Sequence, residues 1–321
     1  MIEGGYRGAV GTFEAALRAG PLLLDGGLAT ELEAAGHDLS DELWSARLLA
    51  DAPEAVVAAH RAFLDVGVDV ITTASYQATV DGLGRRGHDG AALLRRSVDL
   101  AREAVRRYGG DRPRWIAASV GPYGAALADG SEYRGDYGLS VAELVRFHRD
   151  RMRILADAGP DVLACETIPD QREAEAILLA LDGLGVPAWL SFTVAGGRTR
   201  AGQPLPDAFA LAGAADGVLA VGVNCSSPAD ATAAVPVAAA ALADGRSASS
   251  RAGKPVVVYP NSGEAWDARA RRWTGPDDVG ELDGDRWIAA GARLVGGCCR
   301  VRPYHLTSLR RAIDRVGDHG A

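Results

Sequence analysis

Four cysteines occur among 321 residues, and two of them, Cys298 and Cys299, stand side by side in "VGGCCR". Cys225 lies in "VGVNCSSP" and Cys165 in "LACETIP". So few cysteines in so long a chain do not make a disulfide scaffold. A bond between neighbours in sequence is also strained, because the α-carbons of a disulfide stand farther apart than adjacent residues allow. Three readings remain for the adjacent pair: small buried hydrophobes, reactive thiols or metal ligands. Should Cys225, Cys298 and Cys299 converge, they form a soft donor set suited to zinc. Three protein ligands leave one coordination position for water or substrate, which marks a catalytic rather than a closed structural site.

Convergence has to come from the fold. Short apolar or β-branched runs alternate with amphipathic stretches along most of the chain. The strands expected are Leu22–Asp25, Val70–Thr73, Trp115–Ser119, Val162–Glu166, Ala188–Thr193, Ala220–Asn224, Val256–Pro260 and Leu294–Gly296. Between them, Val56, Ala59, Phe63 and Val66 repeat at the spacing of one helix face, as do Leu306, Leu309, Ile313 and Val316. Ser140 and Glu143 have capping-box spacing. Eight strand–helix units predict an α/β fold: one (β/α)8 TIM barrel with loop insertions, spanning residues 1–321 as a single domain. An open doubly wound sheet is the alternative, but no strand ends in a glycine-rich dinucleotide loop.

In such a barrel the carboxyl ends of all strands meet on one face. The residues expected there are Asp25, Thr72, Thr73, Ser119, Glu166, Thr193, Asn224 with Cys225, Asn261, and Cys298 with Cys299. Strand alternation aims Cys165 away from the site if Glu166 faces it, so Cys165 reads as a core residue. Gly296 and Gly297 would let the backbone turn tightly enough to present both cysteines. Asn261 and Ser262 read equally as substrate contacts or turn formers. His60 and His148 read as packing or surface residues, and the basic clusters, "LRR" among them, as solvated faces.

A net charge of −8 and a pI near 5.3 argue against a nucleic-acid footprint. No apolar run is long enough to span a bilayer. The start "MIEGGYRG" lacks the features of a secretory signal, so a cytoplasmic location is expected. The stretch "ADGRSASSRAGKP" reads as a flexible connection.

Taken together, "LLLDGGLATELE", "VDVITTASYQAT", "SVGPYGAALADGSEYRGDY", "LACETIP", "WLSFT", "VGVNCSSP", "VVYPNSGEAWD" and "LVGGCCR" resemble the homocysteine S-methyltransferase family, and most closely its S-methylmethionine-using members. The resemblance runs from about Leu22 to Leu309. It implies a (β/α)8 barrel with Zn2+ on Cys225, Cys298 and Cys299. The implied reaction transfers a methyl group from S-methylmethionine, or S-adenosylmethionine, to the thiolate of L-homocysteine, giving L-methionine. It further implies that Asp25 and Glu166 hold the amino group of homocysteine. Gly26, Gly27 and Thr30 could donate to the substrate carboxylate. Trp44 and Tyr76 read either as cation–π partners of a sulfonium donor or as loop packing. Asn224 either orients ligands or caps its loop. The partners expected are therefore small molecules, L-homocysteine and a sulfonium donor, with no nucleic acid and no membrane; the oligomeric state is open. Alternative readings keep the metal and change the donor to a betaine type or the acceptor to selenocysteine, or make the barrel a non-catalytic zinc or thiol sensor.

Overall fold

A computed structural model describes residues 10–39, 45–244, 253–267, 272–275 and 282–318. Trp44 and most of the Gly/Ser-rich connection lie outside the described residues. The eight barrel strands are β1 Leu22–Leu23, β2 Val70–Thr72, β3 Trp115–Val120, β4 Val162–Ile168, β5 Ala188–Phe192, β6 Val218–Asn224, β7 Val256–Tyr259 and β8 Ala292–Val295. Each agrees with a strand expected from the sequence to within two or three residues. All pair in parallel, in the order β1-β8-β7-β6-β5-β4-β3-β2. A bridge between Leu24 and Val70 joins the two ends, so the sheet curls into a barrel and is not an open doubly wound layer.

Two apolar layers follow from the strand period of two. Inside the barrel lie Leu22, Leu24, Val70, Trp115, Ala117, Val162, Ala164, Trp189, Ala220, Val257, Tyr259 and Leu294. The helix Val10–Ala19, which precedes β1, adds Phe13 and Leu17 to this interior cluster. The Phe13 ring meets Trp115 edge-on with centroids 6.0 Å apart. The intervening residues, such as Ile71, Leu163, Cys165 and Val258, pack outward against the helices.

The helices carry the expected caps and faces. Ser140 caps Val141–Asp157: its hydroxyl accepts from the Glu143 N–H at 3.3 Å, and the Glu143 carboxylate accepts from the Ser140 N–H at 2.8 Å. In Pro53–Asp65 the residues Val56, Ala59 and Phe63 are buried. In Thr307–Asp318, Leu309 and Ile313 are buried, but Val316 is exposed, because the last turn of that helix runs past the edge of the barrel core. Two short hairpins, Val194–Ala195 with Arg198–Thr199 and Ala265–Asp267 with Arg272–Thr274, are inserted after β5 and β7.

The seam between β1 and β2 depends on Asp69, a buried residue just before β2. Its backbone N–H donates to Leu23 O at 2.8 Å, and its carboxylate accepts from the Leu23 N–H at 3.0 Å. The same carboxylate receives Arg310 at 2.9 Å and buried Arg114 at 3.4 Å. Arg310 belongs to the "LRR" cluster expected to be a solvated face; its ion pair with Asp69 makes it part of the seam instead. Asp69→Ala should therefore lower unfolding stability by about 3–5 kcal/mol, since it removes one partner of a buried ion pair. Urea denaturation checks this, with a lower midpoint at an unchanged slope expected.

Candidate metal centre and its pocket

β6 and β8 flank β7, and the end of β7 holds both cysteine-bearing segments. Cys225 N–H donates to Tyr259 O at 3.2 Å, and Cys298 N–H donates to the next carbonyl, Pro260 O, at 2.7 Å. Cys299 N–H donates to Asn261 Oδ1 at 3.2 Å, while Ser262 N–H returns to Cys299 O at 3.1 Å. Asn261 and Ser262 are thus scaffold for the cysteine loops, the turn-forming member of the two expected roles. The three sulfurs lie within 4.8 Å of one another, with Cys225 to Cys299 at 3.7 Å and Cys298 to Cys299 at 4.0 Å. A tetrahedral ion with metal–sulfur bonds of about 2.3 Å spaces its sulfurs by about 3.8 Å. The donor set therefore fits one thiophilic metal ion.

Gly296 and Gly297 serve this arrangement through lack of bulk rather than through a left-handed turn. A Cβ on Gly296 would lie 2.6 Å from Leu24 Cβ, and one on Gly297 would lie 2.2 Å from Val301 Cγ1. The left-handed residues near the cluster are Cys225 (φ 47°), Thr167 (φ 61°) and Arg300 (φ 66°). For a β-branched residue such as Thr167 this conformation is costly. Asn224 offsets it: its Oδ1 accepts from Thr167 N–H at 2.7 Å and its amide donates to Thr167 Oγ1 at 2.8 Å. Asn224 also accepts from Ser191 Oγ at 2.8 Å. It is fully buried and is not among the residues that line the pocket, and its amide nitrogen lies 3.9 Å from Cys298 Sγ, which favours the ligand-orienting one of its two expected roles.

Cys225, Cys298 and Cys299 open into a pocket lined also by Asp25, Gly26, Gly27, Thr30, Tyr76 and Glu166. Cys165, fully buried, sits in the outer layer, as alternation with Glu166 requires. Asp25 accepts from Thr72 through N–H at 2.7 Å and Oγ1 at 2.9 Å. Glu166 accepts from the Ser119 and Tyr259 hydroxyls. Burial, the larger effect, pushes Asp25 up to about 8 and Glu166 up to about 7, despite these hydrogen bonds. Gly27 N–H donates to Val301 O at 2.9 Å, so it is not free to donate to a substrate carboxylate as expected. The close packing of Gly26 on Val301 O and of Gly27 on Cys298 O explains the glycine pair: a Cβ would lie 2.3 Å and 2.9 Å from these oxygens. The Thr30 hydroxyl accepts from Arg300 N–H at 3.0 Å and ties this segment to the cysteine turn.

Sequence reading missed the loop after β3. Ser131–Tyr133, a single 3-10 turn, brings Glu132 and Tyr133 into the pocket wall. The Tyr133 hydroxyl lies 3.1 Å from Cys225 Sγ. Hydrogen bonds from Cys298, Cys299 and Tyr133 hold the Cys225 thiol well below its usual value. Glu132 is pushed up to about 7 by burial. The available signal was "DGSEY", an acidic and aromatic pair in a glycine-led turn, but no periodicity says where a long loop folds back. His148 and His60 are both fully buried. His148 shares a hydrogen bond with Glu173 at 2.9 Å, under the same loop, and Glu173 accepts from Tyr123 N–H at 2.5 Å.

Among the described residues no helix is long and apolar enough to cross a membrane. The family model for homocysteine S-methyltransferase matches residues 22–313. The chain is 44% identical to homocysteine S-methyltransferase 4 of Zea mays, over 97% of this chain and 95% of that protein. It is 39% identical to a selenocysteine Se-methyltransferase of Brassica oleracea var. italica, over 92% of this chain and 89% of that one. The crystal structure of the Escherichia coli homocysteine methyltransferase MmuM in its metallated form superimposes with a TM-score of 0.79 at 40% identity, over 92% of this chain and 99% of that one. The chain belongs to the homocysteine S-methyltransferase family.

Proposed function

We propose that this protein transfers a methyl group from a sulfonium donor, S-methylmethionine or S-adenosylmethionine, to the thiolate of L-homocysteine, giving L-methionine. The observation that carries this reading is the cluster of three sulfurs within 4.8 Å, opening on the same pocket as the buried carboxyls of Asp25 and Glu166. Cys225, Cys298 and Cys299 would hold Zn2+, whose donor preference matches thiolates. Bound zinc would supply the Lewis acidity that keeps a substrate thiol deprotonated at neutral pH. Asp25 and Glu166 would bind the ammonium of homocysteine, and their ionisation on binding is favoured by the positive charge they gain as a neighbour. Tyr133 orients Cys225 through its hydroxyl. The attacking sulfur forms the new C–S bond, and the old bond's electron pair leaves with the donor sulfur as a neutral thioether. No general acid is needed. A selenol acceptor is a second reading, supported by the likeness to a selenocysteine Se-methyltransferase.

The metal assignment predicts about one zinc per chain, measured by elemental analysis of metal-replete protein. Cys225→Ala, Cys298→Ala and Cys299→Ala should each lose both the ion and methyl transfer. A replete protein without zinc would sink the assignment.

Glu166→Gln should raise the KM for homocysteine by about 10- to 100-fold, the worth of a charge-assisted contact, while zinc content stays at the wild-type level. Loss of zinc in that variant would instead give Glu166 a structural role.

The raised values of Asp25 and Glu166 set a pH dependence. Below about 8 and about 7 these carboxyls become protonated and lose the charge that attracts an ammonium. Homocysteine KM should rise as pH falls from about 8 to 6, and Asp25→Asn should flatten the upper part of that rise. An identical profile in the variant would contradict the assignment.

A further inference from the structure

Asp25 and Glu166 receive hydrogen bonds from neighbouring residues, whereas the hydrogen bond to a third buried carboxyl of the same pocket, Glu132, comes from its own backbone N–H. Glu132 is 9% exposed, lines the pocket, and has one buried carboxylate oxygen, Oε2, with no hydrogen-bond partner among the described residues. The charges acting on it come from Cys225 and Asp129, which share its sign. Leaving a buried carboxylate oxygen unpartnered is costly, so its place in a pocket wall points to a ligand that completes it.

The surrounding backbone is built to seat this side chain. Gly124, in the short helix Tyr123–Leu127, lets the turn pack directly on it: a Cβ there would lie 2.4 Å from Glu132 N and 2.6 Å from Ser131 C. Asp129 Oδ1 accepts from the Ser131 N–H at 2.9 Å, and Ala128 and Gly130 take left-handed conformations to close the loop. The neighbouring Tyr133 reaches Cys225, which places Glu132 beside the sulfur cluster. Tyr76, another lining residue, is held by a hydrogen bond to Thr167 and feels the charge of Glu132. Tyr76 and Tyr133 line the same pocket as Glu132, and Arg200 already lies over one face of Tyr133 at 5.6 Å. A cation without acidic protons cannot saturate a carboxylate through N–H donors, but it can approach an aromatic ring such as that of Tyr76.

We propose that Glu132 is the counter-ion of the donor's sulfonium and selects cationic methyl donors over neutral ones. This rests on the methyl-transfer reading above. The sulfonium loses its charge as its C–S bond breaks, so the attraction to Glu132 is present in the bound donor and gone in the thioether product. Glu132 therefore tightens donor binding and favours product release, and because it stabilises the bound donor more than the transition state it does not speed the chemical step.

The test uses the zinc-loaded enzyme at saturating homocysteine. The KM for S-methylmethionine is compared with the inhibition constant, against that donor, of its neutral carbon isostere 2-amino-5-methylhexanoic acid. Wild-type enzyme should favour the sulfonium by at least about tenfold. Glu132→Gln should abolish this preference by raising the donor KM without lowering kcat, with zinc content and the homocysteine KM within a few-fold of wild type, and Glu132→Asp should restore part of it. Equal weakening of sulfonium and isostere would overturn the proposal and give Glu132 to the donor's ammonium. A preference that survives in Glu132→Gln would overturn it outright. If wild-type enzyme used no sulfonium donor, the methyl-transfer reading would fail together with it. Should Glu132→Gln not fold, the size of the preference in Glu132→Asp decides: an unchanged ratio counts against the proposal.

Discussion

Three sulfurs from two strands that are not neighbours can meet only if the strand between them holds both. β7 does this with consecutive carbonyls, Tyr259 O for the Cys225 segment and Pro260 O for the Cys298 segment. The parallel register makes it possible, since Asn224 stands beside Tyr259 on one side and Val295 beside Val258 on the other. Asn261 then fixes the second cysteine of the pair through its side chain and Ser226 O through its own N–H. A slip of one residue on either side of β7 would turn the side chains of that strand to the opposite face and separate the ligands.

The pocket concentrates acidic groups around this cluster, and burial makes that arrangement expensive in the free protein. Because Asp25 and Glu166 have values raised above those of an unfolded chain, the fold favours their protonated forms. Their contribution to stability is present below about pH 4 and is lost as pH rises through the folded values. A bound cation reverses this balance by making the charged forms favourable. Backbone strain is also held at this site: the left-handed Thr167 is over-determined by the Asn224 amide, which grips its N–H and its hydroxyl together.

A second buried network lies under the loop that carries Glu132 and Tyr133. Arg151 donates to Gly121 O, at the end of β3, and lies 2.9 Å from His148 Nδ1. His148 in turn meets Glu173, which accepts from the Tyr123 N–H. Burial and the neighbouring Arg151 hold the His148 value well below the usual, so the ring stays neutral and bridges a cation and a carboxyl. Two helices of the outer ring thereby fix the start of the loop after β3.

The sequence by itself determined the eight strands, because period-two apolar runs separated by amphipathic helices admit few arrangements. It also determined that polar and sulfur groups cluster at the strand ends, and that Cys165 and Glu166 face opposite ways. The resemblance carried by "VGVNCSSP" and "LVGGCCR" added an expected metal and reaction. Tertiary structure decided what depends on contacts distant in sequence. Asn224 is buried outside the pocket lining because its amide meets Thr167 of another strand. Gly27 is unavailable as a donor because Val301 takes its N–H. Arg310 leaves solvent because Asp69 needs a partner at the barrel seam. Glu132 and Tyr133 enter the pocket because Gly124 leaves room for their turn. Local periodicity encodes which face of an element is buried, but the partner of a hydrogen bond is set by which strands become neighbours when the barrel closes.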